Sequence, residues 1–295
     1  MLTSLVLMLQ AEEEAVLPPH LGRASHAVFL RGVAGRDPVL AERLHAPDER
    51  RPFTCSSLVG VRLERVEGEP RAVAAPGRPL FLRYTGLTTE VSEHLARWAE
   101  APPPVVEMEG ARLTVQGATL DPAVHPWAGQ TTYQALLRKA LPTGEMLPRH
   151  LELEFFSPTA FHSGGRNVPL PLPDLVYGSL LEKWNDFSPV TVSPEVRRFA
   201  QECMAISRYD LSTRAVPGKG DGMQIGFVGY CRYTLLRADP YWVGVLQALT
   251  DYAFYAGVGY QTTTGMGQAR KLTIKKINNG GCLVARGGGA PGGAL

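Results

Sequence analysis

Apolar positions along the chain switch between a period near two and a period near 3.6, and the switches divide it into two similar halves. Residues 2–9 are a short apolar run that reads as a buried strand. Ser25 is placed to cap a helix running to Ala34, and Gly35 ends it. Asp37-Pro38, a capping residue followed by proline at the first helical position, opens a short helix over 38–44, with His45 at its C-terminal end. Residues 53–61 and 79–85 read as strands. Thr88 caps a helix to Glu100, in which Val91, Leu95 and Trp98 keep helical spacing, and 105–120 is strand-rich. The order is β-α-β-β-α-β, the ferredoxin-like split motif.

A short linking helix is expected over 133–140, and Leu141-Pro142-Thr143-Gly144 marks a boundary. The pattern then repeats. Residues 150–156 alternate as a strand, 172–185 and 194–207 read as helices, and 223–236 reads as a strand with Gly226 and Gly229 inside it. A helix over 241–255 and a strand over 268–277 complete the second unit. The expected fold class is therefore α+β, with two tandem ferredoxin-like (βαββαβ) domains at residues 1–140 and 147–280. Residues 281–295, rich in glycine, form a flexible tail.

Between the last helix and the last strand lies AGVGYQTTTGMGQAR, with Gly257, Gly259, Gly265 and Gly267 around a Gln-Thr-Thr-Thr run. Dinucleotide and P-loop glycines run from strand to helix, whereas these run from helix to strand. Met266 follows Gly265 where a P-loop needs lysine, and Thr262 stands where GxGxxG needs its third glycine. What remains is a backbone able to approach a polyanion closely, or simply a mobile turn.

Charge sharpens the choice. The net charge is +2, but residues 197–295 carry 12 Lys and Arg against 5 Asp and Glu, a basic footprint for an anionic partner. Cys55, Cys203, Cys231 and Cys282 are scattered without CxxC spacing, which suits unpaired thiols in a reducing cytoplasm. No run approaches the ~18 apolar residues of a membrane span, and acids follow the first apolar run, so that run is expected to be a strand rather than a signal peptide.

The glycine loop is similar to the signature of the RAMP superfamily. Three further stretches resemble its CRISPR repeat-processing endoribonucleases, the Cas-six family: LAERLHAPDERRPFTCSSLVG (40–60), LELEFFSPTAF (151–161) and LPLPDLVYGSLLEKWNDF (170–187). The resemblance implies two RRM-related domains side by side. It also implies cleavage of CRISPR precursor RNA within its repeats, without metal or cofactor, leaving a 2′,3′-cyclic phosphate and a 5′-hydroxyl. The implied partner is CRISPR repeat RNA, a stem-loop in character, with association to a CRISPR effector complex open. A monomer or homodimer in the cytoplasm, with no membrane contact, is expected. His45 occupies the family's catalytic position, and some members use two histidines. Two departures stand out. Phe29 and Leu30 lie where many members have a tyrosine, and Arg50 and Arg51 lie where many have a lysine.

Cleavage through the ribose 2′-hydroxyl needs a base, an acid and a cation for the developing charge, and imidazole suits both proton roles. His45 is the first candidate. His26 lies nineteen residues earlier, and folding back at Gly35 would bring the two together; equally, His26 is a polar residue early in a helix. Arg51, ahead of Arg50, is the candidate for the scissile phosphate, and His20 is a reserve. Ser157 and Thr159 either donate to phosphate or shape the turn at Pro158. For holding RNA, the candidates are the four loop glycines with Arg197, Arg198, Arg208, Arg214, Lys219 and Arg232, and the expected hairpin tip over 214–222 would enter the groove of a stem. Two other readings compete: a non-cleaving RNA-binding subunit, and a small-molecule-binding ferredoxin-like protein.

Overall fold

The computed structural model describes residues 1–46, 50–140, 149–218, 222–237 and 239–272. In the first half the elements run β1 (Leu2–Ala11), β2 (Ala15–Leu17), α1 (Gly22–Ala34), α2 (Pro38–His45), β3 (Phe53–Cys55), β4 (Arg62–Val66), β5 (Glu69–Ala74), β6 (Leu80–Gly86), α3 (Thr89–Glu100), β7 (Val105–Met108), β8 (Ala111–Thr119), β9 (Gly129–Thr131) and α4 (Tyr133–Ala140). The main sheet is antiparallel in the order β3-β6-β1-β8-β7, and β9 also pairs with the start of β1. Strands β1, β3, β6 and β8 with helices α1 and α3 form the expected split motif. The unpredicted small sheet β2-β5-β4 is an insertion beside it.

Strand β1 is apolar along nearly its whole length because both of its faces are covered. Leu5, Leu7 and Leu9 join the core under α1 and α3, whereas Val6 packs on the other face with Trp127, Phe81 and Phe254. The opposite face of this sheet is thus buried against the second half rather than solvated.

The second half runs β10 (His150–Thr159), the hairpin β11 (Phe161–Ser163) and β12 (Arg166–Val168), α5 (Pro173–Phe187), α6 (Glu195–Cys203), β13 (Met204–Pro217), β14 (Met223–Leu235), α7 (Pro240–Ala256) and β15 (Ala269–Lys271). Its sheet, β13-β14-β10-β15, repeats the ferredoxin-like order. Helices α5 and α7 cover one face around Trp184, Tyr233 and Tyr252, and α4 adds Tyr133 and Leu136 to the same core.

Three expectations are corrected. Helix α1 begins at Gly22, not at Ser25: the Ser25 N–H already donates to Leu21, and its side chain is buried beside Tyr84. The helix expected over 194–207 stops at Cys203, because Met204 begins pairing with Leu235. Strand β13 then continues to Pro217, so Arg214 lies in a strand and not in a turn. The last strand is described only through Lys271, and 273–295, with Cys282 and the tail, lies outside the described residues. The Asp37 cap holds as expected, its carboxylate accepting from Leu40 N–H at 2.9 Å.

The halves are joined at the end of α7. Its C-terminal carbonyls have no helical donors of their own. Gly257 N–H serves Ala253, Arg83 donates to Phe254, Thr85 Oγ1 donates to Tyr255 at 2.7 Å, and Lys183 Nζ donates to Ala256 at 3.2 Å and Gly257 at 3.0 Å. Arg83 and Thr85 stand on β6 of the first half, and Lys183 stands on α5 of the second.

Beyond this cap the glycine loop is packed, not mobile. All four glycines are buried with positive φ, from 62° to 92°. Their N–H groups are all taken within the protein: Gly257 by Ala253, Gly259 by Ser179 Oγ, Gly265 by Cys55 and Gly267 by Pro158. A Cβ on Gly259 would meet the Ala160 carbonyl at 2.3 Å, and one on Gly265 would meet Gly22 Cα at 2.9 Å. Their lack of side chains thus serves contacts within the protein.

This packing sets two stability expectations. Gly259→Ala should cost about 1–3 kcal/mol, from its backbone angle and its clash. Gly68→Ala, at φ 85° with no atom within 4 Å, should cost less; urea midpoints compare the two. The second concerns His94, which is buried with neither ring nitrogen hydrogen-bonded among the described residues. Burial first, then Arg97 and Arg36, lower its pKa against a weaker opposing pull from Asp37. The unfolded chain therefore binds the proton more readily, and stability present above 6.5 is lost as pH falls below it. His94→Leu should flatten that acid loss of stability, measured as urea midpoint against pH; an unchanged slope would show that His94 contributes nothing.

Candidate active site and nucleic-acid interface

The loop brings its Thr-Thr-Thr turn against α1. His26 sits in the second turn of α1, half-buried, its ring 5.5 Å from that of Phe53. Its Nδ1 lies 3.0 Å from the Thr263 carbonyl. A carbonyl only accepts, so Nδ1 carries the hydrogen, and in the neutral ring Nε2 keeps a free lone pair. Burial lowers the His26 pKa most; the Thr263 bond opposes this, and the charges of Arg51 and His45 lower it further. His45 closes α2, solvent-exposed, and Arg51 is half-buried with Nε unpaired among the described residues. Both positive groups are thus close enough to act on the His26 ring.

Arg50, the sequence neighbour of Arg51, lines the same cleft but is held by carboxylates. It pairs with Glu182 at 3.1 Å and Asp186 at 2.7 Å on α5, bridging the halves. His20 is packed beneath the loop: its Nδ1 accepts from Gly22 N–H at 3.4 Å, and its buried Nε2 has no partner among the described residues. Burial, then Arg23, lowers its pKa. Ser157 and Thr159 shape the backbone: Ser157 Oγ accepts from Gln268 N–H at 2.9 Å, and Thr159 Oγ1 donates to the Ser157 carbonyl at 3.0 Å.

The other basic candidates divide by their partners. Arg232 is tied to Glu152 at 2.6 Å, Arg197 lies 3.6 Å from Glu182, and Arg198 pairs with Glu195 at 2.9 Å. Arg208 and Arg214 are exposed on β13, an edge strand whose Tyr209 is 67% exposed, and neither has a carboxylate partner among the described residues. Lys219 lies outside the described residues. Arg23 of α1 donates to the Gly218 carbonyl, holding this hairpin beside the histidine-bearing helix.

Sequence reasoning missed Lys183, Thr263 and the cleft between them. Lys183 is fully buried, and burial with Arg50 nearby pulls it down to about 7, against the opposing pull of Glu182. The cleft, of about 430 Å³, lies where α5, the β11 strand and the glycine loop meet Arg51. Its components were visible as residue types, but no periodicity signals a wall assembled from three distant segments. Among the described residues no three His, Cys, Asp or Glu side chains are grouped to hold a metal ion, and no helix is long and apolar enough to cross a membrane.

With this geometry established, comparisons place the chain. Residues 153–269 match the family model for CRISPR-associated endoribonuclease Cas6. The fold is similar to Cas6 (TTHB231) in a product complex, at 29% identity and a TM-score of 0.74, over 92% of this chain and 100% of that one. A structure of Thermus thermophilus Cas6 (TTHB231) matches at 27% identity and a TM-score of 0.69, covering 92% and 98%. Cas6 (TTHA0078) in a product complex matches at 28% identity and a TM-score of 0.70, covering 92% and 99%. No curated protein sequence matches the chain. The family model over the second half and the structural likeness across both halves agree: the chain is similar to the CRISPR-associated endoribonuclease Cas6 family in fold and sequence.

Proposed function

We propose that this protein cuts CRISPR precursor RNA within its repeats, in the cytoplasm, by metal-independent transesterification at His26, His45 and Arg51. The observation that carries the reading is the meeting of His26 Nδ1 with the Thr263 carbonyl under the charges of Arg51 and His45. In this assignment His26 Nε2 takes the proton of the 2′-hydroxyl at the cut. The freed 2′-oxygen attacks the adjacent phosphorus, and the bond from phosphorus to the 5′-oxygen of the next nucleotide breaks. His45 gives that leaving oxygen its proton, so the products are a 2′,3′-cyclic phosphate and a 5′-hydroxyl. Arg51 offsets the charge that builds on the phosphate oxygens.

The stem of the repeat lies along the β13–β14 hairpin, with Arg208 and Arg214 on its phosphates, since such contacts position a duplex without reading it. The structural relatives support an RNA ligand: two are product complexes, and another Cas6 (TTHA0078) structure holds a substrate mimic.

His45→Ala should lower the single-turnover rate on repeat RNA by at least about a hundredfold while affinity holds. Wild-type cutting by that variant would leave the non-cleaving RNA-binding subunit as the better reading. A 2′-deoxyribose at the cut should block cleavage without weakening binding, and EDTA should leave the rate unchanged. Because the His26 pKa is lowered, its neutral form persists below 6.5, so the acid limb of the kcat/KM profile should fall below that value. A limb at or above 6.5 would remove His26 from the role of base.

A further inference from the structure

The cleft beside the catalytic histidine has features that phosphate binding does not use. On one wall His162, exposed on β11, and Tyr260 form an aromatic pair with centroids 4.8 Å apart. The Tyr260 hydroxyl is braced by Asn167 Oδ1 at 3.0 Å, and Asn167 Nδ2 donates in turn to the Ile225 carbonyl at 2.8 Å. Next to the pair, Gln261 is half-buried with φ 55°, a left-handed conformation that a non-glycine residue rarely holds. Its backbone carbonyl accepts from Thr264 and Met266, which fixes that turn, while its side chain lines the cleft. Two residues further on, Thr263 lines the same cleft and holds His26 through its carbonyl.

We propose that this cleft receives one unpaired nucleobase of the RNA, from a nucleotide next to the scissile phosphate. The assignment rests on the RNA-cleaving reading above. The cleft's volume falls within the ordinary range of about 300–1,000 Å³ for a site that encloses a small ligand. The Tyr260–His162 wall supplies a stacking face for the base, and the Gln261 amide offers one donor and one acceptor to its edge. Arg51 lines the same cleft and its charge acts on His26, so it would meet the adjoining phosphate. The strained backbone at Gln261 fits a side chain aimed at a ligand, since such outliers gather at binding sites. Tyr260 and Gln261 thereby become specificity residues: they place the nucleotide that sets which phosphate lies at His26.

The test uses intact repeat RNA and two RNAs carrying an abasic site on either side of the cut, with wild type, Tyr260→Leu and Gln261→Gly. Glycine at 261 keeps the left-handed backbone and removes only the amide. One abasic position should slow wild-type single-turnover cleavage roughly five- to a hundredfold, the range for loss of one stacked base. Tyr260→Leu should show that loss on intact RNA and lose nothing more on the abasic RNA, and Tyr260→Phe should restore the rate. Gln261→Gly should relax the base preference at that position alone. Equal abasic penalties in wild type and Tyr260→Leu, or none in wild type at either position, would overturn the assignment. If Tyr260→Leu misfolds, His162→Ala on the exposed strand takes its place. Wild type that fails to cut intact repeat RNA would instead overturn the cleavage reading, and the pocket assignment with it.

Discussion

The structure depends on how the last turn of α7 is closed. A helix ends with carbonyls that nothing in the helix can satisfy, and here three successive ones are taken by side chains from two other elements. One of the donors, Arg83, is a cation at the negative end of the helix dipole. Arg83 is fully buried between the rings of Trp127 and Phe254, at 5.0 Å and 4.6 Å, with Nε on Ser4 Oγ at 2.8 Å. Burial pulls it down to about 9, still above neutrality, so the guanidinium remains charged there. Hydrogen bonds to charged groups contribute about 1.5–3 kcal/mol each. The exposed Arg50 pairs that also span the halves contribute ~0–1 kcal/mol. The buried cap therefore dominates the union of the two halves, and Arg50 only trims its geometry.

The glycine loop inherits its position from this cap. Lys183 holds the carbonyl of Gly257, the first residue after α7, so the loop leaves the helix in one direction. The loop then borrows partners from both halves: Gly265 N–H donates to Cys55 of β3, and Gly267 N–H donates to Pro158 of β10. A side chain at Gly259 or Gly267 would collide with a backbone carbonyl, at 2.3 Å and 2.2 Å. Glycine is thus required to thread a loop between two packed domains, and the result is the Thr263 carbonyl at His26. A residue of the second half thereby fixes the tautomer of a histidine in the first.

Much of this fold was legible in the sequence. Two βαββαβ units, the Asp37-Pro38 helix start, α4 and the long α7 all come from periodicity and capping, which are local signals. The errors sit where distant contacts overrule local ones. Met204 to Ser207 carry no helix breaker after α6, and only pairing with β14 turns them into a strand. Ser25 is a good capping residue, but Gly22 approaches the Thr264 carbonyl so closely that a Cβ there would lie 1.9 Å away, and the helix starts at that contact. Charge was harder still. Arg50 and Arg51 are adjacent in sequence and both line the cleft, yet one meets two carboxylates of α5 and the other has its Nε unpaired among the described residues. Arg232 likewise looked free until β10 set Glu152 beside it. Composition counts charges, but partners are assigned by the fold.

On the proposed mechanism, recognition and proton transfer would share one loop. Tyr260 and Gln261 face the cleft, and Thr263 faces both the cleft and His26, so the two functions are separated by a single residue, Thr262. That residue is buried, and its methyl group lies beneath Gly257 and Gly267. A base seated against Tyr260 would press on a turn that cannot give way toward α7, because Lys183 and the glycine contacts block that side. Displacement toward α1 would carry the Thr263 carbonyl into the His26 ring. On the proposed reading, the loop would act as a spacer between the bound base and His26. Such a spacer would place a phosphate by where the neighbouring base stops, and so would turn recognition of an unpaired nucleotide into the choice of a cleavage position.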